Sequence, residues 1–285
     1  MLHPPSSIPG LRFAYARYGP LRWGPSPEIP RDEYTGDMTF QSLSSNSQDY
    51  LKVIWDLQEW THEPIQPAAI AKRTGMKPST VSGALGRLVV SGLVQHAPYG
   101  AVTLTERGER YAVKMVRRHR LLELFLVNTL GYQWDEVHDE ADSLEHAVSD
   151  MMIERIDVVL GHPTKDPHGD PIPGENGEMS EVHSVLLSDA RQGSVVRIDR
   201  VNDEDPDLLR YLDSEGFGIG KDVRIGAISR YAASMSLSLV DGPEDAAPIA
   251  LGVKAARQIR VVPLPSEDGG PSSESGSGAP SNPGR

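Results

Sequence analysis

The run PAAIAKRTGMKPSTVSGALGRLVVSG, Pro67 to Gly92, decides the architecture of the N-terminal third of the chain. It divides at Gly75 into two short helical patterns. The second carries Pro78 in its first turn, Ser79 and Thr80 near its start and Gly92 at its end, the residue types that open and close helices. Upstream, Tyr50, Val53, Ile54 and Leu57 recur at helical spacing from Ser47 onward. Downstream, LVQHA and AVTLT are short apolar segments separated by Pro98-Tyr99-Gly100, which reads as a hairpin. Helix, helix-turn-helix and hairpin in that order predict a winged helix-turn-helix.

The second helix of such a unit offers its first turns to the major groove of DNA. Lys77, Ser79, Thr80, Ser82 and Arg87 are therefore the candidate DNA-contacting residues, with Tyr99 above the phosphate backbone and Ala84, Leu85, Leu88 and Val89 packing the helix down. Short hydroxyl side chains reach phosphate oxygens and thymine methyls without steric conflict. The chain as a whole carries a net charge of -12, which argues against a polyanionic partner. Residues 44–118 reverse that sign, with ten Lys/Arg against six Asp/Glu, so this segment is the one suited to nucleic acid. The alternative is a winged helix that serves only as a protein-interaction module.

Around this unit the 285 residues divide by texture. Residues 1–37 hold seven prolines and no sustained periodicity, and residues 1–43 are expected to be a disordered extension, with Met38 as a second candidate for the start of translation. The winged unit is expected over 44–110, a helical region over 111–174, a linker over 175–185 and a small β-barrel-like domain over 186–264. Residues 265–285, rich in Gly, Ser and Pro, read as a disordered tail. The fold class is thus mainly α with α+β parts. No apolar run approaches the roughly 20 residues that span a bilayer, and no secretory signal opens the chain, so a cytoplasmic protein without a membrane partner is expected. Cysteine is absent, which removes disulfides, thiolate nucleophiles and sulfur-rich zinc sites.

The helical region contains EVHDEADSLEHAVSD, Glu136 to Asp150. At about 100° per residue, His138, Asp142, Glu145 and His146 fall within an arc of roughly 100°, beside an apolar stripe of Val137, Ala141, Leu144 and Val148. On the preceding long helix, expected from about Thr105 to Leu130, His119 and Glu123 lie on the stripe of Ala112, Met115, Val116, Leu122 and Leu126. Buried imidazoles and carboxylates cost several kcal/mol unless they are paired or bound to metal. A shared metal site is the simplest account of two helices that aim such groups inward, and Asp49 on the first helix could bring a ligand from the DNA-binding part. The alternative for His119 and Glu123, at i and i+4, is an ordinary surface pair.

These runs, with AIAKRTGMKPSTVSGALGRLVVSGLV, VTLTERGERYAVKMVRRHRLLELFL, GYQWDEVHDEADSLEHAVSD and DPHGDPIPG, resemble the diphtheria toxin repressor family of metal-dependent transcription regulators. The resemblance implies a homodimer with an N-terminal winged helix, a helical metal-binding and dimerisation domain and a C-terminal SH3-like domain. Carried over by motif, it implies a primary site of Asp49, Asp142, Glu145 and His146 and an ancillary site of His119, Glu123 and His138. Loosely aligned ligands from the C-terminal domain fall near Glu204 and Asp207, with Asp205 competing. Iron-responsive members carry Met and Cys where this chain has Asp49 and Asp142. Hard carboxylates in place of sulfur suit Mn²⁺ and resemble the manganese-responsive branch, with Fe²⁺ as the alternative. Short manganese regulators keep a carboxylate where this chain has Lys52, which argues against a closely bridged pair of metals built on that residue.

The expected function is therefore a Mn²⁺-dependent repressor that binds palindromic operator DNA, has no small-molecule substrate and, by the resemblance, controls metal-uptake genes. The rivals are an iron-dependent repressor of the same family, a helical-bundle metalloenzyme and a metal-independent winged-helix regulator whose carboxylates simply form ion pairs. Bundle oxidases use paired Glu-x-x-His motifs. Here Glu145 and His146 are adjacent, and neither an activated nucleophile nor a Gly-rich phosphate loop appears.

Overall fold

The computed structural model describes residues 40–61, 64–97, 100–179, 183–229, 231–243 and 246–265. The expectations for the two termini, for Met38 and for Tyr99 lie outside these residues. Helix α1 (Ser45–Trp60) starts where the Ser44 hydroxyl accepts from Ser47 N. Helices α2 (Pro67–Thr74) and α3 (Pro78–Val90) each place proline in the first turn, where no intrahelical donor is lost. Gly75 turns the chain between them at φ 65°. The wing is the antiparallel pair β1 (Val94–His96) and β2 (Val102–Leu104). Tyr50, Leu51, Ile54, Ile70, Val81, Leu85, Leu88 and Leu93 form one buried cluster beneath these elements. Val89, expected to pack α3 down, is instead 40% exposed, because Ala84, Leu85 and Leu88 already define the buried face.

Helix α4 (Glu106–Phe125) begins at Thr105, whose hydroxyl accepts from Gly108 N and donates to Gly92 O, 2.8 Å away. One residue thus joins the end of the helix-turn-helix to the start of α4. A single π-helical turn, Leu126–Leu130, closes at Gly131. Helix α5 (Val137–Leu144) ends earlier than its sequence pattern suggests, since Glu145 to Ala147 form a turn. The physical reason is Arg118 of α4. Its guanidinium binds the carbonyls of Glu145 and Val148 and the carboxylate of Asp150, satisfying acceptors that a longer helix would have used. Ser149 then caps α6 (Asp150–Leu160).

The C-terminal SH3-like domain is a six-stranded antiparallel sheet of β3 (Val185–Leu186), β4 (Val195–Val201), β5 (Asp222–Ser229), β6 (Ser234–Leu239), β7 (Ile249–Gly252) and β8 (Ile259–Pro263), in spatial order β3-β8-β4-β5-β6-β7. Helix α7 (Pro206–Ser214) links β4 to β5, and the one-turn α8 (Val253–Ala256) links β7 to β8. Alternate residues Val196 and Ile198 of β4 enter a core with Leu209, Leu212, Val223, Ile225, Leu237 and Ile259, as the period of two along a strand requires.

The loop Asp166–Asp170 seats this domain. Val201 N donates to His168 O at 2.9 Å. Gly169, at φ 86°, lies so close that an added Cβ would sit 2.0 Å from Asp199 O, so only glycine allows the approach. The guanidinium groups of Arg200 and Arg260 lie over the ring of Trp60 on α1, at 4.8 and 5.5 Å from its centroid. The sheet is thereby fixed against the end of α1, with the loop after β4 facing α4 and α5. Among the described residues no helix is long and apolar enough to cross a membrane.

Candidate metal centre

Helix α4 supplies the centre of the site. RRHRLLE reads as a charged run, yet Arg118, His119, Arg120 and Glu123 are all buried. The surface-pair alternative for His119 and Glu123 is thereby excluded, since Glu123 is 0% exposed. His119 serves two clusters. Its Nε2 lies 3.0 Å from Glu123 Oε1 and 3.3 Å from His138 Nδ1. Its Nδ1 lies 2.8 Å from Glu145 Oε2 and 3.2 Å from Asp142 Oδ1.

On the Nε2 side, His119, Glu123, His138 and Asp203 each offer one ligand atom within 4.8 Å of the others. The structure thus gathers the three ancillary residues read from the sequence and adds Asp203, whose Oδ2 is 2.8 Å from His138 Nδ1. The two C-terminal candidates are outside this group, although Glu204 lines the same cleft as His119, Glu123, His138 and Asp203. Glu204 pairs with Arg73 of α2 at 2.8 Å, and Asp207, 91% exposed, pairs with Arg210. Asp205, the competitor, caps α7 by accepting from Leu208 N. Burial works against a charge on His138, but Asp203 and then Glu123 outweigh it and push its pKa up to about 10. Burial and the neighbouring Lys52 likewise oppose a charge on His119, and Glu123 and Asp142 outweigh them, holding it well above the ordinary imidazole value.

On the Nδ1 side the expected four-residue set is divided. Asp49, Glu145 and His146 gather in one group, and His119, Asp142 and Glu145 in another, each within 4.8 Å. His146 Nε2 is 2.6 Å from Asp49 Oδ1, and its Nδ1 is 3.0 Å from Gln48 Oε1. Asp142 is drawn away by Lys52, whose ammonium donates to Asp142 Oδ1 at 2.6 Å and to both Glu145 oxygens at 2.8 Å. Burial alone would raise the Asp142 and Glu145 pKa values. His119 and Lys52 outweigh it and hold both below the ordinary carboxylate range.

A third group, Glu123, Asp166 and His168, adjoins the first. His168 is not among the residues singled out from the sequence. Here it is fully buried, its Nε2 donating to Trp134 O at 2.7 Å. The one signal for it was the alternation Asp166-x-His168-x-Asp170 within DPHGDPIPG. Glu123 Oε2 and His168 Nδ1 are buried without a hydrogen-bond partner. Such atoms, in a donor set made wholly of oxygen and imidazole nitrogen, fit a divalent cation of hard or borderline character.

The DNA-facing candidates form a separate surface. Lys77, Ser79, Thr80, Ser82 and Arg87 are all exposed on α3, opposite Val81, Ala84, Leu85 and Leu88.

Comparison with known proteins follows the same three-part division. Residues 42–102 match the family model described as iron dependent repressor, N-terminal DNA binding domain. Residues 105–174 match iron dependent repressor, metal binding and dimerisation domain, and residues 185–263 match the FeoA domain. The iron-dependent repressor IdeR of Mycobacterium tuberculosis is 39% identical over 132 residues, 46% of this chain and 57% of that relative. The aligned segment therefore spans little more than half of IdeR. The diphtheria toxin repressor of Corynebacterium diphtheriae is 30% identical over 195 residues, covering 65% of this chain and 86% of that protein. Among solved structures, a manganese-dependent transcriptional repressor in complex with manganese matches with a TM-score of 0.73 at 48% identity, over 76% of this chain and 100% of the other. ScaR with bound Zn²⁺ matches with a TM-score of 0.67 at 32% identity, over 77% and 100%.

Proposed function

The chain belongs to the iron-dependent repressor family, and from that premise we propose that it is a metal-dependent DNA-binding transcriptional repressor, activated by Mn²⁺ and acting in the cytoplasm as a homodimer on a palindromic operator. Regulation of metal-uptake genes, rather than catalysis, is its role in this reading. The observation that carries it is the meeting of four parts of the fold around His119 and Glu145: Asp49 and Lys52 from α1, Glu123 from α4, His138, Asp142 and His146 from α5 and its following turn, and Asp203 from the SH3-like domain.

A bound divalent cation supplies positive charge to carboxylates that belong to separate parts of the chain. The residues do the rest. Asp49 and His146 tie the first turn of α1 to the turn after α5, which sets the attitude of α1 against α4. Helix α1 packs within the same core as α3, so its position governs how Ser79, Thr80, Ser82 and Arg87 are presented. Lys77 and Arg87 contribute the charge that favours phosphate. Helix α6 leaves Met151, Met152, Val158 and Val159 between 46% and 64% exposed. At positions i, i+1, i+7 and i+8 these share one face, suited to a second copy of the chain.

Mn²⁺ is preferred because Asp49 and Asp142 offer hard oxygen and no cysteine is available. Fe²⁺ is the second reading, favoured by the iron-dependent relatives. An operator selected from a random duplex pool in the presence of Mn²⁺ provides the test. Asp142→Ala and His146→Ala are expected to abolish Mn²⁺-dependent binding while leaving a folded dimer. Wild-type affinity that ignores added Mn²⁺, Fe²⁺ and chelator alike would refute the proposal.

A further inference from the structure

Lys52 enters from α1 the space that the metal reading assigns to a cation. It is 7% exposed, and a buried ammonium persists only where carboxylates surround it. Here it holds Asp142 Oδ1 at 2.6 Å and both oxygens of Glu145 at 2.8 Å, and it lies 3.1 Å from His119 Nδ1. Two of the four expected primary ligands are thus engaged by a cation that the chain itself provides. The consequence is visible in the grouping: Asp49, Glu145 and His146 gather together, while Asp142 stands with His119 and Glu145 instead.

The ammonium also has somewhere to go. A cleft of about 310 Å³ is lined by Asp49, Lys52, Asp56, Asp142, Glu145 and His146. Asp56, one turn further along α1, makes its described ion pair with Arg120 at the long distance of 4.0 Å. Positions i and i+4 on a helix are neighbours, and Asp56 lines the same cleft as Lys52, so Asp56 is placed to receive a lysine that leaves Asp142.

Resting on the proposed function above, we propose that Lys52 is a tethered competitor for the primary metal position: it holds Asp142 and Glu145 in the metal-free chain, yields them to metal by turning toward Asp56, and so sets the metal concentration at which the repressor responds. A sequence with methionine at this position would bind metal more tightly and respond at lower supply. Asp56 is then a positioning residue, which acts only through Lys52.

The test is equilibrium binding of Mn²⁺ alone to the full-length chain, by calorimetry, in wild type, Lys52→Met, Lys52→Gln, Lys52→Arg, Asp56→Asn and the Lys52→Met/Asp56→Asn pair. Removing the ammonium is expected to tighten Mn²⁺ binding by about tenfold or more, the size of one buried charge-assisted hydrogen bond. Lys52→Arg is expected to give no such gain, because it retains the charge. Asp56→Asn is expected to weaken binding in the Lys52 chain and to have no effect beside Lys52→Met, a non-additivity that a merely structural role would not produce. The metal-free Lys52→Met chain is expected to melt at lower temperature than wild type, and the Mn²⁺-loaded chain is not. Lys52→Gln carries the test should Lys52→Met not fold. If both neutral variants bind Mn²⁺ as wild type does or more weakly, the competitor role is overturned while the metal reading stands. A wild-type chain that binds no Mn²⁺ overturns both.

Discussion

Gly86→Ala separates what α3 needs for its own stability from what it needs for a partner. Ser79, Ser82, Gly83 and Gly86 follow one another at i, i+3, i+4 and i+7, so they form one strip along the exposed side of the helix. A Cβ built on Gly86 meets nothing within 4 Å, so no packing within the chain demands glycine there. A glycine inside a helix costs about 0.8–1.0 kcal/mol relative to alanine, and nothing in the fold offsets it. Gly86→Ala should therefore stabilise the protein by about 1 kcal/mol, which is about 2–4 °C in Tm for a protein of this size. The new methyl stands on the face assigned to DNA, where it holds the helix axis away from the groove. Operator affinity should fall tenfold or more, equivalent to about 1.4 kcal/mol. Urea melts of the metal-free protein and fluorescence anisotropy with the Mn²⁺-selected operator read the two effects separately. Gly108→Ala is the contrasting control: its Cβ would lie 1.9 Å from Leu93 O, so it should destabilise by about 1–3 kcal/mol. Unchanged operator affinity with raised stability would refute the assignment of this face, and lowered stability would refute the packing argument.

Three further outcomes are expected. Asp203→Ala should reduce Mn²⁺ stoichiometry by one ion per chain as measured by equilibrium dialysis, whereas Asp207→Asn, on an exposed carboxylate paired with Arg210, should not. Arg120→Met removes the partner of Glu59 at 2.5 Å and a hydrogen bond to Pro171 O at 2.7 Å, and it leaves Asp166 and Asp170 less compensated. The loss should be about 3–5 kcal/mol in chemical denaturation. His138, pushed up to about 10 by Asp203 and Glu123 against the opposing effect of burial, is protonated at neutral pH in the metal-free chain, yet a metal ligand must be neutral. Calorimetry in buffers of different ionisation enthalpy should therefore show proton release on Mn²⁺ binding, with affinity rising from pH 7 toward 10. Because the folded pKa lies above the unfolded one, the stability that His138 lends the metal-free fold is fully present below about pH 6.5 and disappears as pH rises through about 10. Asp203→Asn should flatten that dependence.

The chain order of residues determined a good deal by itself. Helix periodicity and capping are local, so the helix-turn-helix, the wing and the inward stripe of α4 were legible in the letters. The same angular argument put Asp142, Glu145 and His146 on one side of a helix, although α5 ends at Leu144 because a guanidinium 27 residues away in sequence takes the Glu145 carbonyl. What periodicity cannot decide is which of several similar charges reaches a distant partner. Asp203, Glu204 and Asp205 are consecutive and chemically alike, yet one meets His138, one meets Arg73 and one caps α7. That choice follows from how Val201 bonds to His168 and how closely Gly169 admits β4, both long-range contacts. Lys52 is the sharpest case. On the sequence it stands only where a carboxylate was expected. In the fold α1 packs on α4, and that packing carries an ammonium into the middle of the carboxylates, because burying them without a cation costs more than burying them with one.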